Sequence, residues 1–179
     1  MLDHLQEAQT AFHGARFDVR LLKFTGHDGR PHVREAVVHP GAVVLLPVLA
    51  DGRVILIRNR RPVVGETLWE LPAGTLEEGE APAATAAREL IEETGYQAGS
   101  IVKLTEFWAT PGICTEKLHA YVARELKEVG QDLDEGEEIS IHPLTMEQAL
   151  AMIADGTIHD AKTMATLLFY ERFGMTEKK

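Results

Sequence analysis

Residues 74–96 read GTLEEGEAPAATAARELIEETGY. Five residues separate Gly74 from Glu80, seven more lead to Arg88 and Glu89, and Glu92, Glu93 and Gly95 complete the pattern. Pro82 stands where a first-turn proline is tolerated, Ala83, Ala84, Ala86 and Ala87 are strong helix formers, and Gly95 is a natural stop, so the spacing predicts a helix. At about 100° per residue, Ala83, Ala87, Leu90, Ile91 and Thr94 form a stripe expected on the core, with Glu89, Glu92 and Glu93 on the opposite side. Like charges so placed cost roughly 0.2–0.5 kcal/mol per pair in an isolated helix, and only Arg88 is near to offset them. Three glutamates alone describe a solvated acidic face. Gly74, Glu80 and Arg88 at set positions shift the reading to a divalent cation such as Mg²⁺, which takes hard oxygen ligands and leaves part of its shell for water and phosphates.

The same positions spell the Nudix box, G-x5-E-x7-R-E-U-x-E-E-x-G-U, with Leu90 at the first apolar position. Tyr96 stands at the last, where an aliphatic residue is more usual, a departure that bears on packing. The chain thus resembles the Nudix hydrolases. That resemblance implies an α/β sandwich with a mixed central sheet between helices, and hydrolysis of a nucleoside diphosphate linked to another moiety with Mg²⁺ or Mn²⁺. It implies Glu89 and Glu93 as principal metal ligands, helped by the Ala73 carbonyl. Glu92 joins them or orients waters, while Glu80 and Arg88 brace the loop, Glu80 being counted with the metal set. A plain buried ion pair is the competing reading of Arg88. Gly74 is explained by a backbone that turns sharply and approaches the cation closely.

The flanks narrow the resemblance. Arg61 followed by Leu68-Trp69-Glu70-Leu71-Pro72-Ala73-Gly74, Pro111 sixteen residues beyond Gly95, Gly112 to Glu116, and His39 to Val43 are similar to the corresponding segments of ADP-ribose pyrophosphatases. The implied reaction is hydrolysis of ADP-ribose to AMP and ribose 5-phosphate. GDP-mannose, ADP-glucose or a dinucleoside polyphosphate are alternative substrates. A sensor that has lost catalysis is a further alternative, against which the intact Glu89, Glu92 and Glu93 count. Arg61 suits the diphosphate or the base, with Arg58 and Arg60 as competitors. Glu70, Glu116 and Pro111 complete the expected substrate-binding set. Residues 1–40 are expected to supply strands for a homodimer, with Phe17 or Phe24 stacking adenine across the subunit boundary, and residues 41–179 the hydrolase domain. A second acidic run, residues 132–138, falls where these enzymes bring a loop glutamate to the metal. By that register Glu135 is the general base and Glu137 a further metal ligand; slippage would hand the base to Glu137 or Glu138, and in some relatives a box glutamate activates the water.

Composition sets outer bounds. A chain of 179 residues with 45% hydrophobic content fits one domain with a sizeable core. A net charge of −10 argues against binding a phosphate backbone. No apolar run reaches the ~20 residues that span a bilayer, and no basic-then-apolar leader opens the chain. Cys114 is the single cysteine, consistent with a reducing cytoplasm and no disulfide framework. The histidines lack an i, i+4 pair, so no zinc site is expected. Strands are predicted at 17–24, 32–38, 42–50, 54–58, 101–108, 117–126 and 139–142, with 42–50 and 54–58 paired as a hairpin across Asp51-Gly52. Residues 1–15 carry no clear assignment, and 59–68 read as a loop. Two closing helices, 146–154 and 161–173, are expected behind the caps Thr145 and Asp160.

Overall fold

The computed structural model describes residues 8–133 and 136–174. In chain order the elements are β1 (Gln9–His13), β2 (Asp18–Thr25), β3 (Pro31–Val38), β4 (Ala42–Pro47), β5 (Val54–Arg61), β6 (Glu66–Glu70), β7 (Ala73–Thr75), α1 (Pro82–Thr94), β8 (Tyr96–Trp108), β9 (Lys117–Glu128), β10 (Ile139–Leu144), α2 (Met146–Ala154) and α3 (Ala161–Phe173). The described strands form three sheets, ordered β1-β2-β3, β10-β5-β6 and β7-β4-β9-β8. In the last, β4 runs parallel to β9 and antiparallel to β7, so the sheet is mixed.

Strand β4 is buried along its whole length because both faces of its sheet are covered, which is why it lacks the polar alternation of a half-exposed strand. Val43 and Leu45 pack with Ala86 and Leu90 of α1 and with Tyr121 and Ala123 of β9. Val44 and Leu46 face the other way, onto Val54 and Leu56 of β5, Ala149 of α2 and Leu167 of α3. Both closing helices start where expected. Thr145 and Gln148 form a reciprocal capping box on α2, and the Asp160 carboxylate accepts from the Thr163 N–H on α3.

Two expectations need correction. The turn after β4 exists, with the Leu49 N–H donating to the Arg53 carbonyl, but beyond a single bridge between Val48 and Val54 the two strands part. β5 leaves for its own sheet between β10 and β6, because stacking Val54 and Leu56 against Val44 and Leu46 closes a core that in-plane pairing would leave open. The helix stripe is also rotated. Ala86, Leu90, Glu93 and Thr94 are buried while Ala83 and Ala87 are exposed, so Glu93, about 60° round the helix from Leu90, borders the core rather than opposing it.

The β1-β2-β3 sheet presents much of its surface, including Phe12, Phe24 and Val33, to solvent, as does Phe17 in the turn between β1 and β2. It joins the rest through Val37, whose N–H donates to the Ile113 carbonyl at 2.8 Å and whose carbonyl accepts from the Thr115 N–H at 2.9 Å.

Candidate active site

The site is built where α1 crosses the short edge strand β7. The Leu45 N–H donates to the Pro72 carbonyl, which makes 45/72 and 43/74 the hydrogen-bonded pairs and turns both polar groups of Ala73 to the open edge of the sheet. There the Ala73 N–H donates to Glu93 Oε2 at 2.8 Å. Gly74 makes room for Glu89: its φ is not positive, and a Cβ would fall where the Glu89 carboxylate now sits. At the far end Gly95 does hold a left-handed conformation, φ 69°, with its N–H closing the helix on the Ile91 carbonyl.

Arg88 organises the remaining acids. Its Nη1 donates to Glu89 Oε1 at 2.8 Å and to Glu92 Oε2 at 2.7 Å, and its Nη2 to Glu80 Oε2 at 3.2 Å. Burial opposes the Arg88 charge, but the three carboxylates outweigh it and hold its pKa above the ordinary value. Glu93 has no such partner. It is 3% exposed, and no basic side chain among the described residues forms an ion pair with it. Burial pushes its pKa up to about 8; the Ala73 N–H works against this, and the charges of Glu89 and Glu137 add to it. Burial also raises Glu89, against the pull of Arg88. Glu89, Glu93 and Glu137 line one cleft of about 460 Å³ together with Ala73, Gly74 and Arg61.

Among the described residues, no three acidic, imidazole or thiol side chains are gathered tightly enough to hold an ion as they stand. The donor set nevertheless fits a hard divalent cation. Carboxylates and an edge-strand carbonyl are oxygen ligands, and a buried carboxylate with no ion-pair partner among the described residues is the group such a cation would satisfy.

Across Arg61 the cleft continues into a second compartment of about 500 Å³, lined by Phe107, Trp108, Glu116, Asp160 and Lys162. Arg61 is fixed from behind. Its Nε and Nη2 donate to the two oxygens of Glu70, both at 2.7 Å. Glu70 Oε2 also accepts from Lys162 Nζ, and Lys162 pairs with Asp160 at 3.0 Å. Thr163 ties the same turn of α3 to the loop before β7 by accepting from the Leu71 N–H at 2.8 Å. Burial alone would raise the Glu70 carboxyl, but Arg61 and Lys162 overcome it and hold the pKa below its usual value.

With this geometry established, the family model described as NUDIX domain matches residues 38–167. The chain belongs to the Nudix family. It is 38% identical to the ADP-ribose pyrophosphatase of Bacillus subtilis over 89% of this chain and 88% of that protein. It is 37% identical to the methanol dehydrogenase activator of Bacillus methanolicus over 87% and 88%. It is 38% identical to the GDP-mannose pyrophosphatase of Yersinia enterocolitica over 75% of each. A solved structure described as an ADP compounds hydrolase has the same fold, with a TM-score of 0.82 at 22% identity over 93% of this chain and 91% of that one.

Several residues of the Nudix reading stand elsewhere than expected. Glu80, counted with the metal set, accepts instead from Arg88 and from Thr85 Oγ1 and is absent from the cleft lining. Glu92 stands beside the cleft, linked to it through Arg88. Glu70 is 1% exposed, anchors Arg61 with both oxygens and lies behind the cleft, absent from the lining of either compartment. Pro111 lines a different groove, with Phe24, Trp108 and Ile113. Glu116 does face the second compartment. Glu135, the expected base, lies outside the described residues. Glu138 lines a separate hollow with Arg58 and Arg60, which leaves Glu137 as the described loop glutamate in the cleft. Lys162 went unnoticed in the sequence: its neighbour Asp160 carried a cap signal, but nothing local relates a lysine to a glutamate 92 positions earlier.

Proposed function

We propose that this Nudix protein hydrolyses ADP-ribose to AMP and ribose 5-phosphate with Mg²⁺, for which Mn²⁺ can substitute. The observation that carries the reading is the cleft that Glu89, Glu93 and Glu137 line together with Arg61, in a chain 38% identical over most of its length to an ADP-ribose pyrophosphatase. Glu89, Glu93, Glu137 and the Ala73 carbonyl hold the cation. When bound, the metal neutralises charge on the phosphoryl oxygens and makes water a better nucleophile at neutral pH. Arg61, with Nε and Nη2 held by Glu70, offers Nη1 to a diphosphate oxygen. Arg88 keeps the Glu89 and Glu92 carboxylates in place. A glutamate of the 132–138 loop, Glu135 by the family register, takes the proton of the attacking water. The water oxygen joins one phosphorus, the P–O–P bridge breaks, and the bridging oxygen leaves with the other phosphate. Glu116 and Trp108 line the compartment beyond Arg61, where the moiety on one side of the diphosphate fits.

The apolar β1-β2-β3 surface supports a homodimer built through the N-terminal strands, with residues 41–179 as the hydrolase body. No described helix is long and apolar enough to cross a membrane, and the single cysteine suits a cytoplasmic enzyme. Similarity to a GDP-mannose pyrophosphatase supports a second reading, a broader sugar-nucleotide diphosphatase. A panel of nucleoside diphosphate sugars compared by kcat/KM with Mg²⁺ decides between them. ADP-ribose leading the panel and yielding AMP is the expected result; GDP-mannose leading overturns it. Light scattering on the eluting peak tests the dimer.

A further inference from the structure

Arg61 is, among the described residues, the one basic side chain that lines both compartments of the cleft, so what fixes its direction bears on binding. Its carboxylate partner, Glu70, is buried and supplies two hydrogen bonds to it. A second carboxylate, Asp160, lines the same compartment. Lys162 stands between these two acids. Its ammonium contacts Glu70 Oε2 and lies 3.0 Å from Asp160 Oδ1, with its side chain only 16% exposed. A lysine so buried brings one charge to two acids and has little of its own left for solvent. Without it, Glu70 would lose a donor on the oxygen it shares with Arg61, and Asp160 would become an uncompensated carboxylate beside a guanidinium.

We propose that Lys162 is a positioning residue for Arg61, keeping the guanidinium turned into the cleft by supporting the Glu70 carboxylate that anchors it and by neutralising Asp160, which would otherwise draw it aside. This rests on the reading above in which Arg61 binds the diphosphate. The side chain acts through Arg61 and touches no reacting atom.

The test is a double-mutant cycle on the full chain with ADP-ribose and Mg²⁺, reading kcat, KM and Tm for Arg61→Met, Lys162→Met, Lys162→Arg and the Arg61→Met/Lys162→Met pair. Lys162→Met is expected to raise KM about tenfold, with a smaller change in kcat, the scale of losing a supporting contact behind a binding group. In the Arg61→Met background the same change should cost less than about twofold. Lys162→Arg, and separately Asp160→Asn placed on Lys162→Met, should each recover part of the loss, since Asn still caps α3 but no longer attracts Arg61. An equal penalty in both backgrounds, or a lowered Tm with KM unchanged, overturns the proposal. If Arg61→Met itself leaves KM and kcat alone, the role assigned to Arg61 fails first and this inference fails with it.

Discussion

Glu70 and Glu93 are both buried glutamates, 1% and 3% exposed, and both act on the charge of Arg61, yet they are in opposite electrostatic states. Glu70 is held by two cations, and its pKa lies below the ordinary value despite burial. Glu93 receives one backbone N–H and faces two further carboxylates, and its pKa rises to about 8. The contrast separates two uses of a buried acid. A carboxylate whose counter-charges come from the chain is part of the scaffold. One whose neighbours repel it destabilises the fold until something cationic arrives, and a protein keeps such a group where the cation does chemistry.

The largest expected effect tests this contrast directly. Glu93→Gln should lower kcat on the order of a thousandfold, the scale of removing a charge that stabilises a transition state, while the protein stays folded by circular dichroism. Near-normal turnover would place Glu93 with the scaffold. The next effect is on stability without metal. A carboxyl with a raised folded-state pKa binds more protons folded than unfolded between about pH 4.5 and 8. Stability in a chelator should therefore fall as pH rises through that window, by up to about 5 kcal/mol, and level off above it. Saturating Mg²⁺ should flatten the slope, and Glu93→Gln should abolish it and leave the metal-free variant more stable than wild type at pH 8.5. Melting curves across pH, with and without Mg²⁺, read all three.

Glu70→Gln should do the reverse, costing about 3 kcal/mol at neutral pH because Arg61 and Lys162 lose a buried counter-charge. Chemical denaturation measures it, and a neutral outcome would erase the distinction between the two glutamates. The smallest effect is expected from Gly74→Ala. The added methyl must displace the Glu89 carboxylate, so Mg²⁺ affinity should weaken about tenfold with little change in metal-free Tm. Isothermal titration checks it, and unchanged affinity would remove Glu89 from the metal set.

The box was legible because its chemistry is local. Glu89, Glu92 and Glu93 share a helix with Arg88, and the caps Thr145 and Asp160 each speak to a residue three positions on. The hairpin expectation failed because local alternation cannot say whether β5 pairs beside β4 or stacks beneath it. Whether Glu70 serves a ligand or the scaffold stays open in the sequence, because a glutamate beside a tryptophan carries no mark of burial. The stripe on α1 was misplaced by about one side-chain position, since Ala83 and Ala87 are apolar enough to suggest a core they do not reach.

The amino-acid order alone determined the family, the helix with its carboxylates, and the need for hard oxygen chemistry, because each depends on spacings of a few residues along one element. The folded chain alone decided which acids are satisfied and which are left wanting. Glu70 meets Lys162 across 92 positions and Glu93 meets Ala73 across 20, and the energy of a buried charge depends on which groups the fold brings within a few ångströms of it, not on its neighbours in the chain.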